Sequence, residues 1–148
     1  MSTDLMGEIR AVPAGTTASF GAWQPVVGDL ALTTVDSLGF GAVVFLIGLQ
    51  TGATGAANLI LEESDDGTTW SAVPNEDIRN RSASAGATAG LVGTLTAVTG
   101  RLVAVGVLTK RRYYRVRQAN SSGPPAGNGA IIALLGDAVR EPVTLTAW

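Results

Sequence analysis

The 148-residue chain contains no cysteine and no histidine. Without cysteine there are no disulfides, no thiolate nucleophile and no cysteine-based zinc site. Without histidine, Ser-His-Asp and Cys-His nucleophile pairs are excluded, and the commonest transition-metal ligand is missing. Aromatic residues make up only 5% of the chain and charged residues 15%, against about 25% charged in an ordinary soluble domain. Long hydrophobic runs are scarce too. The longest uncharged stretch, Ser37 to Leu61, is densely apolar only over Phe40 to Leu49; Gln50, Thr51, Thr54, Asn58 and three glycines break up the rest. A membrane span needs about 20 predominantly apolar residues, so no membrane segment is expected. The first residues, Met-Ser-Thr-Asp-Leu-Met-Gly-Glu, carry acid where a secretory signal needs base, so synthesis in the cytoplasm is expected.

What the chain does contain is apolar mass and punctuation. Hydrophobic residues reach 46%, with 19 glycines and 6 prolines. So much apolar mass with so little charge excludes disorder, and the length fits one domain. Ten basic against twelve acidic residues give a net charge of −2, and nothing global points to nucleic acid. No segment sustains a 3.6-residue apolar period. Short β-forming runs separated by turn signals instead predict an all-β, single-domain antiparallel β-sandwich of jelly-roll type. The expected layout is an extended N-terminal arm over residues 1–15, a sandwich body over 16–143 and a C-terminal tail over 144–148.

Within the body, short strands are expected at Ala18 to Val27 and Leu30 to Val35. Phe40 to Leu49 reads as a strand buried on both faces. Leu91 to Leu108 reads as two strands, and Arg112 to Gln118 and Ala130 to Leu135 as one each. Asn75 to Arg81 suits a helical turn, and the Ala/Ser/Gly/Thr run from Ser82 to Gly90 a surface loop. The clearest hairpin is Asn58 to Val73, turning at Ser64-Asp65-Asp66-Gly67, where glycine accepts a positive φ.

That turn and the following Thr68-Thr69-Trp70 resemble the Asp-box of sialidase-type propeller blades, with Gly67 one residue early and a single copy present. The box is structural in those folds. The resemblance implies that Asp66 caps backbone N–H groups at the turn with Gly67 and that Trp70 lies in the core. Asp65 and Asp66 lack the further oxygens and distal glutamate of an EF-hand-like calcium loop. Glu63 and Asp65 are the nearest approach to a catalytic carboxylate pair, but a convex, solvated hairpin tip does not tune acids. The Gly-rich stretches at Gly52 to Gly55 and Gly123 to Gly129 lack the ending of a phosphate loop. No enzyme activity, metal or cofactor is expected.

Lys110-Arg111-Arg112-Tyr113-Tyr114-Arg115-Val116-Arg117 holds five of the ten basic residues. Strand alternation places Arg111, Tyr113, Arg115 and Arg117 on one face and Arg112, Tyr114, Val116 and Gln118 on the other, which reads as core with Arg112 near its rim. The cationic face suits an intrachain-paired surface, a protein partner or, least well, nucleic-acid phosphates. At the termini, Leu5, Met6, Ile9 and Val12, and then Val143, Leu145 and Trp148, are apolar groups that mark either contacts with other subunits or packing of the ends on their own sandwich. Leu5, Met6, Ile9, Val12, Arg111, Tyr113, Arg115, Arg117 and Trp148 are therefore the candidate partner-interface residues.

Phe40-Gly41-Ala42-Val43-Val44-Phe45-Leu46-Ile47, Leu61 to Trp70, Lys110 to Arg117 and Gly129 to Gly136 with Glu141-Pro142-Val143, in that order, resemble small virion structural proteins of tailed bacteriophages. The likeness covers roughly residues 38–143. It implies a capsid decoration, or cement, protein: a non-enzymatic homo-oligomer, often a trimer, that binds the major capsid protein on the virion exterior. The alternatives are a tail or baseplate component and a carbohydrate-binding sandwich module.

Overall fold

The computed structural model describes residues 10–14, 22–23, 29–49, 56–82, 85–96, 101–122 and 129–138. Twelve strands follow one another: β1 (Arg10–Pro13), β2 (Ala22–Trp23), β3 (Leu30–Ala31), β4 (Val35–Asp36), β5 (Phe40–Leu49), β6 (Ala56–Ser64), β7 (Ser71–Ala72), β8 (Ile78–Arg79), β9 (Leu91–Thr96), β10 (Arg101–Leu108), β11 (Tyr113–Ser122) and β12 (Gly129–Ala138). A 3-10 turn, Asn75–Asp77, precedes β8. The strands form two antiparallel sheets. The first runs β1–β12–β5–β10–β8, with β2 also on β12. The second runs β3–β11–β6–β7, with β4 also on β11 and β9 also on β6. The protein is an all-β sandwich, as its composition predicts.

Period-2 alternation builds the core. The first sheet buries Val43, Phe45, Ile47, Val105, Val107, Ile131, Ala133 and Leu135; the second buries Leu59, Leu61, Tyr114 and Val116. Registers such as Ile131↔Ile47 and Ala133↔Phe45 align the inward rows across β12 and β5. Burial of each large side chain of this kind contributes about 1.5–3 kcal/mol. Val92 and Val73 close the side of the second sheet.

Several sequence expectations change in the folded chain. The run Leu30 to Val35 is not one strand: β3 and β4 pair with separate parts of β11, Gln118↔Leu30 and Tyr114↔Val35, and Leu32 to Thr34 bridge them. The hairpin's returning strand shrinks to β7, because Thr68 and Thr69 are drawn into the turn. Only β2 of the expected strand Ala18 to Val27 lies in the described residues. Residues 10–13, expected in a free arm, form β1. Its register, Arg10↔Leu135 to Pro13↔Ile132, uses the open edge of β12. Val12 consequently packs against the core and Ala14 is fully buried.

The expected surface loop Ser82 to Gly90 is anchored rather than free-standing. Arg81 donates from Nε to the Leu91 carbonyl (2.7 Å) and from Nη2 to the carbonyls of Gly86 (2.7 Å) and Thr88 (2.9 Å). Ala85 and Gly90 are buried. β5, expected to be buried on both faces, is buried on one: Val43, Phe45 and Ile47 point inward, while Ala42, Val44, Leu46 and Gly48 stay half-exposed on the other side.

Candidate functional site

The two outer faces of the sandwich differ in kind. On the second sheet, β11 and β6 pair as Arg115↔Glu62 and Arg117↔Ile60, which brings the cationic face of β11 beside a glutamate. Glu62 Oε2 accepts from Arg115 Nε and Glu62 Oε1 from Arg117 Nε, both at 2.7 Å. Arg117 also reaches Asp29 through Nη1 (2.7 Å). Glu62 is only 8% exposed, so this carboxylate serves two guanidiniums with little water to compete. The Arg115 guanidinium lies 4.0 Å over the Trp70 ring. The outer face thus reads Trp70, Arg115, Glu62, Arg117, Asp29.

The ladder continues around the corner that joins β10 to β11. Arg111 pairs with Glu63 (3.2 Å) and with Asp65. Arg112 grips Asp36 through Nη2 (2.8 Å) and Nε, and its guanidinium also sits 4.9 Å from the Tyr113 ring centroid. Lys110 donates to both oxygens of Asp77, at 2.7 and 2.8 Å. The backbone here is pinned. The Tyr114 hydroxyl accepts from the N–H groups of Lys110 (2.8 Å) and Arg111 (3.0 Å), and burial pushes its pKa up. Ser37 Oγ donates to the Arg112 carbonyl (2.8 Å), and Thr109 Oγ1 to that of Phe40 (2.6 Å). All five cations of Lys110 to Arg117 are therefore engaged by carboxylates of the same chain. A phosphate or an acidic partner would have to displace a bound carboxylate to reach them.

The turn after β6 is built from side-chain caps. Asp66 Oδ1 accepts from the backbone N–H of Thr69 (2.7 Å) and Thr68 (2.8 Å) and from Ser64 Oγ (2.9 Å). Ser64 Oγ accepts from the N–H of Gly67 (2.9 Å). Gly67 has φ +73, and the ring of Tyr113 lies 3.6 Å from where a Cβ would stand. Asp66 and Gly67 thus occupy the turn as the Asp-box likeness implies. Trp70 does not enter the core: it is half-buried on the outer face, because the shortened turn leaves it alongside Arg115.

The bonds from Thr69, Thr68 and Ser64 hold the Asp66 carboxyl far below the ordinary aspartate range. A depressed folded-state pKa adds stability that is present above the unfolded value, about 4, and is lost as pH falls below it. The wild-type chain should therefore lose stability between about pH 4 and pH 2. Asp66→Asn should lose less over that window, measured by urea unfolding at each pH. Equal losses in the two proteins would rule Asp66 out as a contributor.

The outer face of the first sheet is mainly apolar among the described residues, with exposed Arg79 of β8 standing beside Gly106. β5 presents Ala42, Val44, Leu46 and Gly48; β12 presents Ala130, Ile132, Leu134 and Gly136; β10 presents Ala104, Gly106 and Leu108. The registers Leu134↔Val44 and Ile132↔Leu46 put the four large residues side by side. Ala11 of β1 flanks Leu134. Leu108, 51% exposed, closes one end, opposite Ala42. Alternation in β12 and the uninterrupted apolar character of β5 carry this face in the sequence, where it reads as a second core surface.

Of the candidate interface residues, Arg111, Tyr113, Arg115 and Arg117 come together on the outer side of the second sheet, and Val12 lies on β1 against the core. Leu5, Met6, Ile9 and Trp148 lie outside the described residues. The acid pair Glu63 and Asp65 shares Arg111. No group of three or more potential metal ligands occurs among the described residues, and no helix among them is long and apolar enough to cross a membrane. Glu62, Asp29, Asp36 and Arg81 were not singled out by sequence reasoning as ladder or loop anchors. Only strand register reveals them.

Fold and surface together define an all-β two-sheet sandwich with one charge-paired face and one mainly apolar face. No protein-family model matches the chain, and no curated protein matches it. Among solved structures it is similar to the PBSX exported protein XepA, at 17% identity and a TM-score of 0.49 over 99% of this chain and 43% of that one. It is also similar to a chain of the Bacillus endospore appendages, described as a novel family of disulfide-linked pili, at 11% identity and a TM-score of 0.40 over 88% of this chain and 86% of that one. The chain thus spans less than half the length of XepA.

Proposed function

We propose that the chain is a non-enzymatic virion structural protein of a tailed bacteriophage that binds the exterior of the major capsid protein shell and stabilises it. The observation that carries this reading is the strand order. Taking β1/β2, β3/β4, β5, β6, β7/β9, β10, β11 and β12 as eight successive strands, the first sheet runs first–eighth–third–sixth and the second runs second–seventh–fourth–fifth. With the short strand β8, which adds to the outer edge of β10, set aside, this order supports a jelly-roll reading, an architecture common in viral shells and in lectins. Fold alone does not assign function. The sequence resemblance over residues 38–143 selects the virion, and the surface supports it. The carboxylates nearest to a catalytic pair are tied to Arg111. Two of the aromatics that a sugar platform could use are engaged by the same chain, Trp70 by Arg115 and Tyr113 by Arg112, while Trp148 lies outside the described residues.

Attachment in this reading is multivalent: each subunit adds modest apolar contact, and repetition over the shell raises avidity. In this reading the contact with the shell is assigned to residues 1–9, since residues 10–13 belong to the first sheet. Deleting residues 1–9 should reduce binding to undecorated capsids at least tenfold while leaving the melting temperature within about 2 °C. Co-sedimentation with capsids and thermal melting check both halves. Wild-type chain that fails to bind such capsids refutes the proposed function, and truncated chain that saturates them normally refutes the role of the arm.

A further inference from the structure

We infer that Asp66-Gly67 is a latent site of isoaspartate formation, held shut in the folded turn by the Ser64 hydroxyl. The inference goes beyond capsid attachment and does not depend on it. An aspartate followed by glycine is the pair most open to this reaction, because glycine has no side chain to screen its amide nitrogen. The Gly67 nitrogen bonds to Asp66 Cγ, and its proton and the carboxyl hydroxyl leave together as water. A five-membered succinimide ring results. Water then adds to the main-chain carbonyl of Asp66, and the bond from that carbon to the Gly67 nitrogen breaks. The chain now runs through the Asp66 side chain, with its mass unchanged. Water is the only co-reactant, and Asp66 is exposed to it.

The folded turn blocks both reacting groups. The nucleophile is Gly67, whose N–H donates to Ser64 Oγ at 2.9 Å. Turning that nitrogen onto Asp66 Cγ breaks the bond. The electrophile is the Asp66 carboxyl, whose Oδ1 accepts from the N–H groups of Thr69 (2.7 Å) and Thr68 (2.8 Å) and whose Oδ2 accepts from Thr69 Oγ1 (3.1 Å). These bonds hold it toward the residues that follow Gly67 and keep it ionised. A carboxylate in that form has no hydroxyl to shed. Ser64 ties the two halves together: its Oγ also donates to Asp66 Oδ1 (2.9 Å) and accepts from the Asp66 N–H (3.3 Å). Ser64 is only 1% exposed, so little water competes for its hydroxyl. The Tyr113 ring packs near Gly67, 3.6 Å from where a Cβ would stand.

Cyclisation must therefore wait for the turn to open locally. Removing the Ser64 hydroxyl deletes its bonds to Gly67 and Asp66 and should raise the open fraction roughly tenfold. Once formed, isoaspartate lengthens the main chain by one carbon and displaces the carboxylate that caps Thr68 and Thr69. The connection from β6 to β7 would then lose the bonds that shape it. In the capsid reading a subunit stays in place after assembly, and the Ser64 lock preserves its turn for the life of the particle.

Prolonged incubation of the full wild-type and Ser64→Ala chains at about 37 °C and about pH 6, followed by peptide mapping with fragment-ion mass spectrometry, reads isoaspartate at position 66. It should accumulate about tenfold faster in Ser64→Ala. Asn128-Gly129 of the same chain is the internal reference, and its deamidation should run at one rate in both proteins. Asp66→Asn gives a second reading, since asparagine cyclises by the same route with loss of ammonia. Its deamidation at position 66 should be at least tenfold slower in the folded chain than in guanidinium. Equal accumulation in wild type and Ser64→Ala overturns the inference, as does slower accumulation in the variant. A matching rise at Asn128 would show that general unfolding opens the turn, and would also overturn it. So would Asp66→Asn deamidating equally fast folded and unfolded. No arm of the experiment reads capsid binding, so its failure leaves the capsid reading standing.

Discussion

Gly90→Ala is expected to remove about 3 kcal/mol of folding free energy, from the addition of one methyl group. Gly90 has φ +69, a conformation that L side chains resist by about 1–2 kcal/mol. A Cβ there would stand 2.6 Å from the Leu61 carbonyl oxygen, 3.0 Å from the Ala72 Cβ and 3.1 Å from the Ile60 Cγ2. The tightest of these neighbours is backbone and cannot swing away. It is also committed: the Leu61 carbonyl accepts from the Val73 N–H (3.0 Å), and the Leu61 N–H donates to the Gly90 carbonyl (2.8 Å). Moving it would strain β6 at its pairing with β7 and add a further ~1–3 kcal/mol. For a domain of this length the loss corresponds to a fall of roughly 6–12 °C in melting temperature. Gly86→Ala is the matched control, since Gly86 also has a positive φ (+59) but nothing within 4 Å. Thermal melting of the two variants separates backbone strain from collision. Equal falls would show that the close approach at Gly90 relaxes without cost.

Glu62→Ala should be the next most damaging change, at about 2–3 kcal/mol. Removing one partner of a buried ion pair leaves its mates uncompensated, and here one carboxylate has two mates. The usual 3–5 kcal/mol for such a deletion is reduced because the Arg115 and Arg117 side chains are 20% and 25% exposed and turn partly to water. Arg117 also keeps Asp29. Denaturant unfolding of Glu62→Ala, Arg115→Ala and the double variant forms a cycle that isolates their coupling. A coupling of about 1 kcal/mol or more is expected. A value near zero would make the ladder an ordinary solvated surface, where exposed pairs contribute about 0–1 kcal/mol. Asp36→Ala supplies that comparison, since its pair with Arg112 is nearly half exposed on both sides.

The positions of Gly90 and Glu62 show why the sequence was informative about some features and silent about others. Gly90 reads as the end of a small-residue loop, and nothing nearby in the chain announces that the backbone of Leu61 passes within contact of it. Glu62 reads as one of two adjacent acids on a hairpin. The arginines of β11 alternate visibly, so their shared face could be written down in advance. Which acids answer them depends on the register of β11 against β6, and that is a property of residues about fifty positions apart in the chain. Trp70 makes the same point in reverse. Its neighbours in the motif are local and behave as the motif implies, but its own place depends on what stands beside it across the sheet.

Local chemistry therefore settled the class of the fold, most of the long strands, the turn at Asp66 and Gly67, and the lack of thiol and imidazole chemistry. Each of these follows from alternation, backbone preference or composition, which act over a few residues at most. Long-range pairing settled the rest. It made residues 10–13 an edge strand, split Leu30 to Val35 between two stretches of β11, closed the Glu62 ladder and left one side of β5 and β12 only partly buried. A continuous apolar strand is the same string of letters whether one or both of its sides meet other chain. Only the arrangement of the sheets in space distinguishes an inner wall from an outer one.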